Sequence, residues 1–268
     1  MRKILLILFF SLVVFSCEKD KQVIVENTDI PLIIKVLDNG VLSYEYTYND
    51  ANLLSEEKSK FIYTKHNYND KNFLTTSDYY VDPGIYSSLG TVAEASRNRK
   101  EWVNPHNTEK SLTQSFDYND KDQLISVTYN RPSVNNSEYS EFTFDNNRIS
   151  RQTMYWQNEF SFYIDYLYDE KGNLIKESKY YLPSTGLAEL WTTTEYEYDN
   201  MHNPFQAFIR LMTPGKFTNP NNITKETYAI YFEVDQWTQK VSIITNSYEY
   251  NDNGYPIKIN GEAEYIYK

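Results

Sequence analysis

Polar and apolar residues alternate with a period of two along most of this chain. Leu42, Tyr44, Tyr46 and Tyr48 fall on one face, and Ser43, Glu45 and Thr47 on the other. The same alternation runs through Phe160, Phe162, Ile164, Tyr166 and Tyr168. It returns in Thr194, Tyr196 and Tyr198 against Glu195 and Glu197, and in Ala263, Tyr265 and Tyr267 against Glu262 and Glu264. Successive side chains of a strand point to opposite faces, so each run predicts a strand with one buried and one wet face. Tyr, Phe and Thr suit such a pleated, half-buried surface. No window of similar length keeps a helical period, so the chain is expected to be all-β.

The strands come in a repeated phrase: aromatic, any residue, aromatic, Asn or Asp, then an apolar residue or proline about six positions after the second aromatic. The second aromatics are Tyr48, Tyr68, Tyr118, Phe144, Tyr168, Tyr198 and Tyr250, at intervals of 20, 50, 26, 24, 30 and 52 residues. The two long intervals leave room for worn copies, with Tyr228 to Val241 a candidate in the second. The copy at Phe144 is one residue short and reaches Ile149. The copy at Tyr198 has Pro204 in its apolar slot, and the copy at Tyr68 has His66 for its first aromatic. Between the aromatic and the apolar slot lies turn chemistry. Asp169-Glu170-Lys171-Gly172 places Asp where a turn begins and Gly where a positive φ is wanted. Asn52, Asn72 and Gly254 hold the Gly172 position elsewhere, which fits a type I turn followed by a bulge. Each copy is thus a hairpin, and the hairpins follow one another as a meander of about 14–18 antiparallel strands. Open twisted sheets rarely pass about 10 strands without curling or splitting. A strongly curved sheet is expected, closed or nearly closed into a barrel, with a two-layer sandwich as the alternative.

Tyr166-Leu167-Tyr168-Asp169-Glu170-Lys171-Gly172-Asn173-Leu174 resembles the YD repeat of Rhs-type bacterial proteins. From Val41 onward the chain is similar to YD-repeat lipoproteins of Bacteroidota. The resemblance implies a β-hairpin meander, porin-like in shape, and names no activity. In large Rhs proteins such repeats form a shell around a C-terminal toxin. This chain is too short for that shell, so toxin delivery is not carried over.

The first residues set the expected compartment. Met1-Arg2-Lys3 is basic, Ile4 to Phe15 is a nearly unbroken apolar run, and Ser16-Cys17 follows. That run is too short to span a bilayer as a helix and reads as a secretory signal over residues 1–16. Val14 and Ser16 before Cys17 resemble a bacterial lipoprotein box. Cys17 is the only cysteine, so it is the expected lipidation site and disulfides are excluded. Residues 17–27 read as a lipidated tether and 28–268 as a single YD-repeat-like β domain. The expected location is the bacterial outer membrane, on its periplasmic face or at the cell surface, held through an acyl anchor on Cys17.

The formal charge is −11, and loss of Arg2 and Lys3 with the signal would make it −13. An acidic chain without a basic stripe argues against nucleic acid as a partner. Four stretches break the meander: a first strand at 30–36 with its Asp38-Asn39-Gly40 turn, residues 82–107 with a short helix suggested at 92–97, Pro183 to Gly186, and the loop 213–222. Insertions on a regular scaffold are where function usually sits.

Catalytic constellations are missing from the sequence. His66, His106 and His202 form no close pair and read as surface or turn residues, and no metal site or cofactor is expected. The carboxylates Glu45, Glu195, Glu197 and Glu249 alternate with aromatics and fall on the wet face. The clusters Asn49-Asp50, Asn119 to Asp122 and Asn251 to Asn253 lack the length and closing Glu of a calcium loop, and turn formation explains them. The tryptophans lie outside the repeat slots, so Trp102, Trp156, Trp191 and Trp237 are the candidate ligand-binding residues. The expected function is therefore non-enzymatic. It is a lipid-anchored envelope protein that binds a glycan or another envelope protein, with a structural scaffold as the alternative and a membrane-spanning β-barrel behind both.

Overall fold

The computed structural model describes residues 30–82, 102–134, 136–183, 186–205, 207–208, 213–215, 217–231 and 240–268. Cys17, Trp237, the expected signal and tether, and the helix suggested at 92–97 lie outside the described residues. Among the described residues the chain is all-β, with 17 antiparallel strands in one sheet. They are β1 (Ile33–Asp38), β2 (Val41–Tyr48), β3 (Leu54–Lys58), β4 (Ile62–Tyr68), β5 (Leu74–Val81) and β6 (Lys110–Tyr118). Next come β7 (Leu124–Asn130), β8 (Glu138–Asp145), β9 (Arg148–Trp156), β10 (Glu159–Tyr168), β11 (Leu174–Tyr181) and β12 (Glu189–His202). The last are β13 (Asn221–Ile230), β14 (Lys240–Thr245), β15 (Tyr248–Tyr250), β16 (Pro256–Ile259) and β17 (Ala263–Tyr267).

Neighbours in sequence are neighbours in the sheet, as a meander requires. In addition β1 pairs with β17 as well as with β2. Only β14 and β15 lack a pairing to each other among the described residues, so the sheet is strongly curved but not closed.

The repeat turns form as their residues dictate. Asn49 Oδ1 accepts from the backbone N–H of Ala51 and Leu53 at 3.0 and 2.9 Å, and Asn52 has φ 56°. Asn69, Asn119 and Asn251 bind their own turns in the same way. The side-chain oxygens of Asn49, Asn119 and Asn251 are thus engaged by their own turns. Gly172 is required by its backbone conformation, and a Cβ there would also make the Arg148 guanidinium shift. Its φ is +96°, and a Cβ there would lie 2.9 Å from Arg148 Nη2. The short copy at Phe144 is short because it turns on two residues, Asn146 and Asn147, both at positive φ.

The apolar slot that ends each copy is the core. Ile33, Leu54, Leu74, Leu124, Ile149, Leu174 and Pro256 occupy it and are buried. Each such side chain is worth about 1.5–3 kcal/mol when fully buried. The register is the same at every equivalent junction: the residue two after the slot pairs with the residue three before the next aromatic. The pairs are Lys35–Glu45, Glu56–Lys65, Thr76–Ser115, Ser126–Glu141, Arg151–Asp165, Lys176–Glu195, Lys225–Thr245 and Lys258–Glu264.

That register places each aromatic hydroxyl beside the slot carbonyl of the copy before it. Tyr48 donates to Ile33 O at 2.6 Å, Tyr68 to Leu54 O at 2.8 Å and Tyr118 to Leu74 O at 3.0 Å. Tyr168 donates to Ile149 O at 2.9 Å, Tyr198 to Leu174 O at 2.5 Å, Tyr248 to Ile223 O at 2.8 Å and Tyr267 to Pro256 O at 2.6 Å. Seven hydroxyls thus stitch copy to copy around the sheet. The eighth position holds Phe144, which has no hydroxyl to give.

Two expectations need correction. The slot of the copy at Tyr198 is filled by Ile223, which pairs with Tyr198, and not by Pro204. Strand β12 runs on to His202, and residues 203–220 are an insertion between two strands that pair directly. Tyr228 to Val241 is not a worn copy either, because Tyr228 lies inside β13 and pairs with Ser242. The additional copy is split. Tyr265 and Tyr267 supply its aromatics and Ile33 its slot, and Ile33 pairs with Tyr267 just as Leu54 pairs with Tyr48.

Candidate ligand-binding site

The regular scheme fails at one junction. The antiparallel pairings make β14 and β15 run in the same direction, as two halves of one pass joined by Asn246-Ser247. Strand β14 pairs with β13 in a register that puts Tyr248 in the stitching position, whereas β15 pairs with β16 in a register that puts Tyr250 opposite the Pro256 slot. The offset leaves one tyrosine hydroxyl over. Tyr250 donates it to Asp199 Oδ2. The slot residue here, Ile223, is only half-buried, unlike its seven counterparts.

The described aromatic residues of the insertion, Phe205, Phe208 and Phe217, turn inward at this junction. Phe208 packs edge-on to Tyr46 at 5.0 Å, and Phe205 lies 5.2 Å from Phe217 and 6.0 Å from Tyr265. Asparagines hold the insertion. Asn219 Oδ1 accepts from Leu174 N at 2.8 Å, Asn203 Nδ2 donates to Asn219 O at 2.8 Å, and Asn221 Nδ2 donates to Met201 O at 2.8 Å.

A cavity of about 370 Å³ remains between the insertion and the sheet. Val36, Tyr44, Tyr46 and Glu57 line it from β1, β2 and β3. Asn203, Pro204, Phe205 and Phe217 line it from the insertion. Asn222, Ile223 and Glu226 of β13 face these, with Asn246, Tyr248, Ile259 and Tyr265 completing the wall. Tyr44 is 37% exposed and stacks on Tyr46 at 6.2 Å, which marks where the cavity meets solvent.

The inner face carries acid. Residues paired across a ladder share a face. Glu57 pairs with Tyr46, Glu177 with Tyr166 and Glu226 with Tyr196, so all three glutamates project with the inner aromatics. Burial raises the Glu177 carboxyl above its usual range and the charge of Glu226 adds to the rise, while the hydrogen bond from Tyr196 opposes it. Burial also raises the hydroxyls of Tyr44 and Tyr46, and the charge of Glu57 pushes both further. Burial takes Tyr265 up to about 12. The lining combines apolar side chains (Val36, Pro204, Phe205, Phe217, Ile223 and Ile259) with tyrosines, asparagines and two glutamates, and among the described residues it includes no Lys or Arg.

Asn222 is 3% exposed. Its Nδ2 donates to both oxygens of Asp199, at 3.3 and 3.0 Å, which fixes the amide orientation. Its Oδ1 is buried and has no hydrogen-bond partner. A buried acceptor left unpaired costs about 1–3 kcal/mol, so a donor brought to it would gain accordingly.

No protein-family model matches this sequence, and no curated protein matches it. The solved structures it is similar to include a porin-like protein from Bacteroides vulgatus, 12% identical, covering 89% of this chain and 99% of that one at a TM-score of 0.39. A porin-like protein from Bacteroides uniformis is 12% identical over 88% of this chain and 96% of that one, with a TM-score of 0.38. The TcdB2-TccC3 structure is 14% identical over 84% of this chain and 11% of that one, with a TM-score of 0.31. Scores this low carry no argument about what this chain does.

Of the tryptophans named from the sequence, Trp102, Trp156 and Trp191 lie among the described residues. Trp102 is half-buried. Trp156 ends β9 and is 43% exposed. Trp191 lies on β12 with Lys179 Nζ 4.5 Å over its ring and Tyr181 edge-on at 6.0 Å. None of the three lines the cavity. Another residue departs from expectation. His66 is not a surface histidine but 5% exposed, in the first-aromatic slot, with Nδ1 2.8 Å from Ser77 Oγ. Burial pushes it down to about 4, so it is neutral at physiological pH. The inner glutamates were missed because only outward carboxylates were considered. Their signal is spacing: Glu57 and Glu177 each stand 11 residues after a first aromatic, Tyr46 and Tyr166.

Proposed function

We propose that this chain is a lipid-anchored, non-catalytic binding protein of the bacterial outer membrane. Its cavity beside the β14–β15 break would receive a ligand, either a glycan or a group presented by another envelope protein. The observation that carries the binding reading is the cavity itself, which occupies the one junction where the repeat departs from its register. The anchor reading rests on the apolar run that ends at Cys17. It is tested by feeding labelled palmitate to cells. The wild type should incorporate label and Cys17→Ser should not, and label retained by that variant would refute the anchor.

The outward face argues against a membrane-spanning barrel. It carries cross-strand ion pairs, Lys176–Glu195 at 2.7 Å and Lys225–Glu197 at 2.8 Å, with Arg151–Asp165 at 2.5 Å. A lipid-facing band is apolar, and charge there costs about 2–4 kcal/mol per residue at the midplane. A scaffold role is the second reading. It is favoured by the stitching hydroxyls, which make a stiff sheet whether or not a ligand binds.

A further inference from the structure

We infer that the cavity takes an uncharged aromatic ring that carries one hydrogen-bond donor, a phenol or an indole. This rests on the binding reading above and adds the chemistry of the ligand. Val36, Ile223 and Ile259 give the cavity apolar walls, and Phe205, Phe217 and Tyr265 give it rings. Phe205 stands edge-on to Phe217 at 5.2 Å and to Tyr265 at 6.0 Å. Aromatic rings prefer such edge-to-face or offset neighbours, so a further ring would extend the packing already there. A cavity of about 370 Å³ is at the small end of ligand sites, which suits a guest of one or two rings.

The donor is called for by Asn222. Three asparagines line the cavity, and they differ. Asn203 donates from Nδ2 to Asn219 O at 2.8 Å and accepts at Oδ1 from Phe205 N at 2.9 Å. Asn246 donates to Ile223 O at 3.0 Å and accepts from Asn260 Nδ2 at 3.1 Å. Both amides are engaged at each end. Asn222 commits its Nδ2 to Asp199, which leaves its buried Oδ1 without a partner. A phenol O–H or an indole N–H is a single donor on an apolar body, and it would satisfy that oxygen. A charged ring would lose its hydration against apolar walls. Recognition by Asn222 and those walls requires no free carboxylate from Glu57 or Glu226.

The test is calorimetric titration of the full chain. Indole and 4-methylphenol should bind. Their capped forms, 1-methylindole and 4-methylanisole, should be at least about tenfold weaker, because they leave the buried oxygen unpaired. Benzoate and benzylamine should be weaker by a similar factor. In Asn222→Leu the difference between indole and 1-methylindole should shrink to about twofold or less. If that variant fails to fold, the wild-type comparison of capped with uncapped rings decides. Two further probes, N-acetyltyrosinamide and N-acetyltryptophanamide, separate the sources of the ring. Binding of either assigns it to a partner's side chain, and binding of the free rings alone assigns it to a free small molecule. Capped or charged rings binding as tightly as 4-methylphenol would overturn the inference and leave the binding reading standing. Glucose binding while every ring stays silent would do the same. Silence from all the probes would overturn both.

Discussion

Replacing Tyr48 by Phe removes one oxygen and keeps the ring. The hydroxyl lost is the donor to Ile33 O at 2.6 Å, and Ile33 is 0% exposed. The ring contact with Phe208 at 6.3 Å survives the change. An average hydrogen bond contributes about 0.5–1.5 kcal/mol, and a buried carbonyl left unpaired costs about 1–3 kcal/mol. A loss of about 1–2 kcal/mol follows, which for a sheet of this size lowers Tm by about 2–8 °C. Calorimetry or urea unfolding reads it, with Tyr44→Phe as the control, since the Tyr44 hydroxyl is not one of the stitching donors and its loss should cost less than about 0.5 kcal/mol. The reverse substitution sharpens the test. Ser126 pairs with Glu141 in the shared register, so a hydroxyl at position 144 would face Leu124 O as Tyr68 faces Leu54 O. Phe144→Tyr should therefore stabilise by up to about 1 kcal/mol. A Tyr48→Phe variant indistinguishable from wild type, together with a destabilised Phe144→Tyr, would refute the stitching argument.

Two further outcomes are expected. His66 titrates at 6.5 when unfolded and at about 4 when folded, so its contribution is fully present above pH 6.5 and is lost as pH falls toward 4. The loss reaches about 3 kcal/mol, and His66→Phe, which restores the aromatic of other copies, should flatten the stability profile between those limits. Phe208 anchors the insertion, so Phe208→Ala should cost about 3–5 kcal/mol by urea unfolding.

Much of the fold could be read from the sequence because the repeat is redundant. Period-two alternation, Asn or Asp at the turn start and Gly or Asn at its positive φ all point to the same hairpin, and any one could fail without hiding it. The stitching was written there too, in the preference for Tyr over Phe as second aromatic. It went unread because the acceptor belongs to the preceding copy, and inter-copy register is a property of the assembled sheet. The candidate site was less legible for a related reason. Its walls come from β1, β2, β3, β13, β15, β16 and β17, which only the curvature of the sheet brings together. The insertion at 203–220 was only half foreseen. Its Pro and Asn content marked a loop, but Phe205, Phe208 and Phe217 are what turn it inward.

The hairpin divided between β17 and β1 has a consequence for the order of folding. Ordinary copies close a loop of six positions, as from Tyr48 to Leu54, whereas Tyr267 must find Ile33 across 234 positions. Loop-closure entropy grows as the logarithm of that length, so making this contact first would cost about 3 kcal/mol more than closing a six-position copy. Made last, it costs little, because the intervening ladder has already carried the two strands together. The sheet should therefore assemble outward from its local hairpins, with the β1–β17 seam as the final cooperative step. Amide hydrogen exchange would show this seam opening before the interior hairpins do.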